Sequence, residues 1–146
     1  MHAVAVCGKG REITNDELMP YTAVFVLGTS PLAETYMSYE FHGMNRESLD
    51  WFSTEHLLEK YPNMPFANSI CIMMAEAIQC IQMCDDARID ILAAPMISNK
   101  EYFKERYAVA MWVGYARGLG IEVNWEGVEN PPPYMYKEWK EWQDGC

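Results

Sequence analysis

Apolar residues along the chain fall into short unbroken runs separated by longer stretches with a helical period. Tyr21–Leu27 (YTAVFVL) is continuous, apolar and rich in β-branched residues, as expected of a strand covered on both faces. Ile89–Ala94 is a second short run, bounded by Pro95, and Ile121–Trp125 is a third. A helix-length segment from Ser98 to about Leu119 joins the last two, so Arg88 to Trp125 reads as strand, loop, helix, strand. That is a βαβ unit, in which a crossover helix returns the chain to lay a parallel strand on the same sheet. Asn68 or Ser69 is placed to cap an amphipathic helix running to about Cys84. Its core face is Ile70, Met74, Ala77, Ile81 and Cys84, with Glu76 and Gln79 turned away from it. Ser38–Met44 alternates like a strand near an edge, Glu47–Tyr61 is helical, as one piece or as two broken at Ser53, and Thr14–Pro20 is a polar turn or a single helical turn.

His2–Cys7 (HAVAVC) fits an edge strand followed by a turn at Gly8-Lys9-Gly10. The competing reading is a glycine loop whose Lys9 and Arg11 offer charge to a phosphate, although no helix of the right length follows and it is not a P-loop. In the second crossover, Ser98 and Glu101 fit a capping box, and Tyr102, Val109, Val113 and Ala116 form an inward stripe. Arg117 suits the helix C-terminus, Gly118 or Gly120 the left-handed cap, and Gly114 implies close approach to a neighbouring backbone. The pattern predicts an α/β, Rossmann-like three-layer sandwich with a mainly parallel sheet of four to five strands over residues 1–129. Residues 130–146 form a separate arm: a proline spacer, then Tyr134, Tyr136, Trp139 and Trp142, suited to packing on the domain or on a second copy.

Composition narrows the function. A formal charge of −10 repels a phosphate backbone, so duplex nucleic acid is excluded as a partner, while a small phosphorylated ligand held by backbone amides is not. No apolar run reaches the ~20 residues of a membrane span, and no secretory pattern opens the chain. Cys7, Cys71, Cys80, Cys84 and Cys146 lack metal-ribbon spacing and read as buried free thiols of a reducing cytoplasm, the host's if the protein is viral. No metal or cofactor is expected, and a homo-oligomer is.

In an open parallel sheet, ligands bind beyond the carboxyl ends of the strands. Three such ends gather Thr29, Ser30, Asn45, Met96, Ser98 and Glu101, with Lys104 and Arg106 on the next helix and Arg46 as a further positive charge. Asn45 suits a helix cap as well as a ribose or a base, and His56 on a helix is more often packed or exposed than catalytic. No Ser–His–Asp spacing, metal cluster or carboxylate pair supplies a reaction centre.

The order of VFVLGTSP, YEFHGMN, WFSTEH, FANSICIMMAEAI, IDILAAPM and EYFKERYAVAMWVGYARGLGIEV resembles a group of small phage-encoded Rossmann-like proteins. That group is distantly similar to nucleotide-sugar transferases and pterin pyrophosphokinase-like proteins. The resemblance spans most of residues 21–125 and implies a nucleotide-type pocket near Gly28, Ser30, Asn45, His56, Ser69, Met96, Glu101 and Tyr102. Where such proteins often carry an acid after the third strand, this chain has Ala94-Pro95-Met96, which speaks against metal-assisted transfer. VGYARGLGIEV is also similar to nucleoside deoxyribosyltransferase-like proteins, whose nucleophilic Glu falls at Trp112 here; on that alignment the pocket binds without reacting. The leading expectation is a phage-type protein that sequesters a nucleotide-derived immune signal. The alternatives are a nucleotide- or sugar-nucleotide-dependent transferase or a nucleotide hydrolase, with Glu101 or His56 as acid/base, and an interaction protein working through its aromatic arm.

Overall fold

The computed structural model of the chain describes residues 2–27, 32, 37–39, 54–94 and 100–128. Five parallel strands form one sheet: β1 (His2–Cys7), β2 (Ala23–Leu27), β3 (Met37–Tyr39), β4 (Ala87–Leu92) and β5 (Glu122–Trp125), in the order β3-β2-β1-β4-β5. The helices are α1 (Asn15–Leu18), α2 (Thr54–Lys60), α3 (Ser69–Ile81) and α4 (Lys100–Gly118). This is an α/β fold of Rossmann-like type, and the β4–α4–β5 crossover lays its two strands side by side, Ile89 opposite Val123 and Ile91 opposite Trp125.

Side chains alternate between two cores because successive residues of a strand point to opposite faces. Val4, Val6, Phe25, Ile89, Ile91 and Val123 meet α2, α3 and α4 on one face. Ala5, Cys7, Val24, Val26 and Leu92 meet Ile13 and Leu18 of the α1 region on the other. The first core is closed by aromatic packing: Trp112 is fully buried, lies edge-to-face with Tyr61 at 5.1 Å and donates from its indole Nε1 to the Pro65 carbonyl at 2.6 Å. Among the described residues no helix is long and apolar enough to cross a membrane.

Three sequence expectations are corrected here. The first strand is not at an edge. β1 is central, pairing with β2 on one side and β4 on the other, and its run of Ala, Val and Cys is small because both faces are covered. Glu76 does not point away from the core. Every residue from Ile70 to Ile78 is buried, since α3 packs between the sheet, α2 and α4, and Glu76 is fully enclosed. A Cβ on Gly114 would meet nothing within 4 Å, so no neighbouring backbone of the described chain explains that glycine.

Other local features follow the sequence. Thr14 caps α1 by accepting from Glu17 N, and Asn68 caps α3 by accepting from Cys71 N at 3.0 Å. Val109, Val113 and Ala116 are buried, Arg117 in the last turn of α4 donates to Val123 O, and Gly120 supplies the positive φ (88°) that turns the chain into β5. The cysteines are a further correction: the four described ones are free, but burial, expected of all, holds only for Cys7 and Cys71, while Cys80, on the outer side of α3, is exposed and Cys84, after its end, half-buried. The capping box at Ser98, the break at Ser53 and the arm of residues 130–146 lie outside the described residues.

Candidate functional site at the carboxyl edge of the sheet

The chain runs outward from β1 through β2 to β3, then returns to the other side of β1 to make β4 and β5. The order reverses between β1 and β4, and such a switch point is where open α/β sheets place ligands, beyond the strands' carboxyl ends. β1, β2, β3 and β4 end on this edge at Cys7, Leu27, Tyr39 and Leu92. α4 starts there, because it carries the chain from the end of β4 back to the start of β5, and the N-terminus of α3 lies on the same side.

The floor of the edge is a tight backbone seam. Gly8 N donates to Leu92 O at 2.8 Å and Gly10 N to Ala93 O at 2.6 Å. A Cβ on Gly8 would stand 2.5 Å from Ala93 O and 2.6 Å from the Ala94 Cβ, so this position requires glycine. Ala93 adopts a positive φ of 58°, an uncommon conformation for a residue with a Cβ, and strain of this kind concentrates at functional sites. Both glycine amides are spent within the chain. The reading of Gly8-Lys9-Gly10 as a phosphate cradle therefore does not hold for the amides of Gly8 and Gly10.

Arg11 is likewise committed. Its guanidinium donates to Glu126 Oε1 and Oε2 at 2.6 and 2.7 Å, to Glu17 Oε2 at 3.0 Å with a further bond to Glu17 Oε1, and to Glu12 O at 2.9 Å. These bonds hold the carboxyls of Glu17 and Glu126 below their ordinary range, and the guanidinium is held more firmly protonated in return. Glu126 also accepts from Ala93 N at 3.4 Å, which ties the turn after β5 to the strained residue after β4. Below this cluster, burial and then the Glu17 charge push the Cys7 thiol up to about 12, so it is inert at neutral pH.

Arg106 and Trp125 form the wall on the α4 side. Arg106 is buried, with its guanidinium carbon 5.8 Å from the Trp125 ring centroid, and Trp125 Nε1 donates to Ala94 O at 2.8 Å. Ser69 opens α3, half-buried beside its Asn68 cap. Arg106 and Ser69 thus sit in the first two turns of the helices that begin at this edge. His56 does not join them: it is exposed on α2, and Tyr61, which follows that helix, packs against Trp112 and Tyr115, well along α4. Glu101 and Tyr102 lie on the first turn of α4, with only their backbone described. Gly28, Thr29, Ser30, Asn45, Arg46, Met96 and Ser98 lie outside the described residues.

Two polar clusters were missed by sequence reasoning. On the α1 face, Asp90 accepts from Tyr21 OH at 2.5 Å and from Asn124 Nδ2 at 3.0 Å, with Arg88 Nε 3.2 Å away. Burial and the Asp90 hydrogen bond raise the Tyr21 hydroxyl well above its usual range. On the helical face, both Glu76 oxygens, Tyr61 OH and Gln79 Nε2 are buried with no hydrogen-bond partner among the described residues. Burial drives the Glu76 carboxyl up to about 8. An acidic residue inside an apolar strand (Asp90 in RIDIL) and a charge within an otherwise apolar helix (Glu76) were the available signals. Among the described residues no three His, Cys, Asp or Glu side chains stand together as a metal site requires.

The chain matches no family model, no curated protein and no solved structure. The two family likenesses therefore enter the proposal below on their sequence motifs alone.

Proposed function

We propose that the chain binds a nucleotide-like small molecule at the carboxyl edge of its sheet and holds it intact, as a phage-type protein sequestering a nucleotide-derived immune signal. The observation that carries this reading is the strand order, which reverses between β1 and β4 on the edge where β2, β3 and β4 deliver the chain to the loops read from the sequence as ligand-binding. Residues 28–31, 40–46 and 95–99 follow those strand ends directly, and the first turns of α3 and α4 add Ser69, Glu101, Tyr102 and Arg106.

Holding, rather than converting, is supported by position 112. Where the deoxyribosyltransferase-like pattern has its nucleophile, this chain has a fully buried tryptophan bonded to Pro65 O, a core residue that supplies no nucleophile. Duplex nucleic acid is a poor partner for a chain of net −10 whose Arg11, at this edge, is already shared between two glutamates.

The test is native mass spectrometry of the full chain purified from cells producing nucleotide signals, followed by denaturation and analysis of what is released. The reading expects one intact nucleotide-like molecule per site. Release of turned-over product, or protein with no small molecule that also fails to take one up when nucleotides are added, contradicts it.

A further inference from the structure

The exposed face of α4 carries a pattern that neither the core nor the carboxyl edge uses. At 100° per residue, Tyr107, Met111, Gly114 and Gly118 fall within a narrow stripe on the side away from the sheet, spaced four, three and four apart. Tyr107 is 44% exposed and Met111 52%, with Tyr115 (37%) and Leu119 (44%) along one flank and exposed Ala110 along the other. The N-terminal half of the stripe is large and apolar, and the C-terminal half has no side chain at all. Among the described residues, a Cβ at either Gly114 or Gly118 would meet nothing within 4 Å. Two glycines in an exposed helix weaken it, and no contact among the described residues offsets that cost.

We propose that this face is the contact between two copies of the chain, with the α4 helices antiparallel across a twofold axis. In that arrangement Tyr107 of one copy lies over Gly118 of its partner, and Met111 over Gly114, at both ends of the seam. Each large half fills the other copy's bare half, so the stripe is its own complement, as an isologous interface demands. Closest approach falls at Gly114, where bare backbone lets two helices come together.

Charge points to the same occupant. Each copy has a net charge of −10, and repulsion between two copies is least across a face without charged side chains. The stripe has no charged side chain from Tyr107 to Gly118, and Arg117 beside it turns back to Val123 O at 3.0 Å. The area is modest. The four exposed apolar side chains and the uncovered helix backbone amount to on the order of 1,000 Å² for a pair, the lower end for a specific interface. The dimer is therefore concentration-dependent.

Sedimentation velocity from about 1 to 200 μM reads the association, with thermal melts as the control for folding. Wild type shifts from monomer to dimer across that range. Gly114→Leu, which favours the helix but fills the groove, stays monomeric or weakens association at least ~10-fold while melting no lower than wild-type monomer. A mixture of Tyr107→Cys and Gly118→Cys chains gives the mixed 107–118 disulfide on mild oxidation. Tyr107→Cys alone gives no 107–107 disulfide, because antiparallel pairing holds those positions ~16 Å apart along the axis. A wild-type monomer at every concentration, an undiminished dimer in Gly114→Leu, or a 107–107 disulfide in place of the mixed one overturns the proposal.

Discussion

Two groups of carboxylates in this protein obey opposite electrostatics. At the carboxyl edge, Glu17 and Glu126 share the Arg11 guanidinium in partly exposed positions, and its hydrogen bonds keep both carboxyls ionised. In the helical layer, Glu76 is wholly enclosed beside Tyr61 and Gln79, with no hydrogen-bond partner among the described residues, and burial favours its neutral form. The first cluster fixes the geometry of three chain segments and contributes little energy, because exposed ion pairs are screened by water and salt. The second is a stability cost whenever its proton is lost. Charge at the candidate site is thus ordered for shape, while the titratable group that governs stability lies in the core, away from that site.

The sharpest way to break this contrast is to open the wall around the core cluster. Trp112→Ala removes the ring packed on Tyr61 and Phe66 and the bond to Pro65, and costs about 3–5 kcal/mol in urea denaturation. Gly8→Val tests the edge in the same currency. Its side chain meets the Ala93 carbonyl rather than a movable group, so a loss of about 1–3 kcal/mol is expected, together with loss of any ligand binding at the edge.

Glu76→Gln isolates the titration. The folded carboxyl titrates at about 8, above the ordinary value of 4.5, so the folded state binds the extra proton between those pH values. Stability is then fully present below about pH 4.5 and declines as pH rises towards 8, by at most about 1.4 kcal/mol per pH unit. The variant has the flatter profile and is more stable than wild type by about 1–3 kcal/mol at pH 8 and above. Equal slopes in the two proteins contradict a neutral buried carboxyl. Arg11→Ala has the smallest effect on stability, below about 1 kcal/mol and shrinking with salt. Its sign with pH is opposite: the carboxyls of Glu17 and Glu126 lie low in the folded state, so their contribution is present at neutral pH and fades as pH falls through those lowered values.

What the sequence discloses and what it hides follow from the range over which each signal acts. The β4–α4–β5 unit was legible because its apolar runs, Arg117 in the last turn of α4 and Gly120 are all local signals. The centrality of β1 was not, since five small residues look alike at an edge or in the middle, and only the pairing with both β2 and β4 decides. Helical period placed Glu76 away from one apolar face, but it carries no information on how many neighbours surround α3. Arg11 and Glu126 stand 115 residues apart, beyond any local pattern. Of the expected site, Ser69 and Arg106 fall in the opening turns of adjacent helices as read from the strand ends. His56 falls on the surface of α2, because a helix-borne histidine reveals nothing of its tertiary position.

Hydrogen exchange of the full chain, with and without adenosine diphosphate or uridine diphosphate glucose, tests the carboxyl-edge site most directly. Added nucleotide should slow exchange around Leu27, at Ala93–Ala94 and through the first turns of α3 and α4, and leave the far ends of those helices unchanged. Protection confined to the opposite edge of the sheet, or binding with no protection at those strand ends, contradicts it.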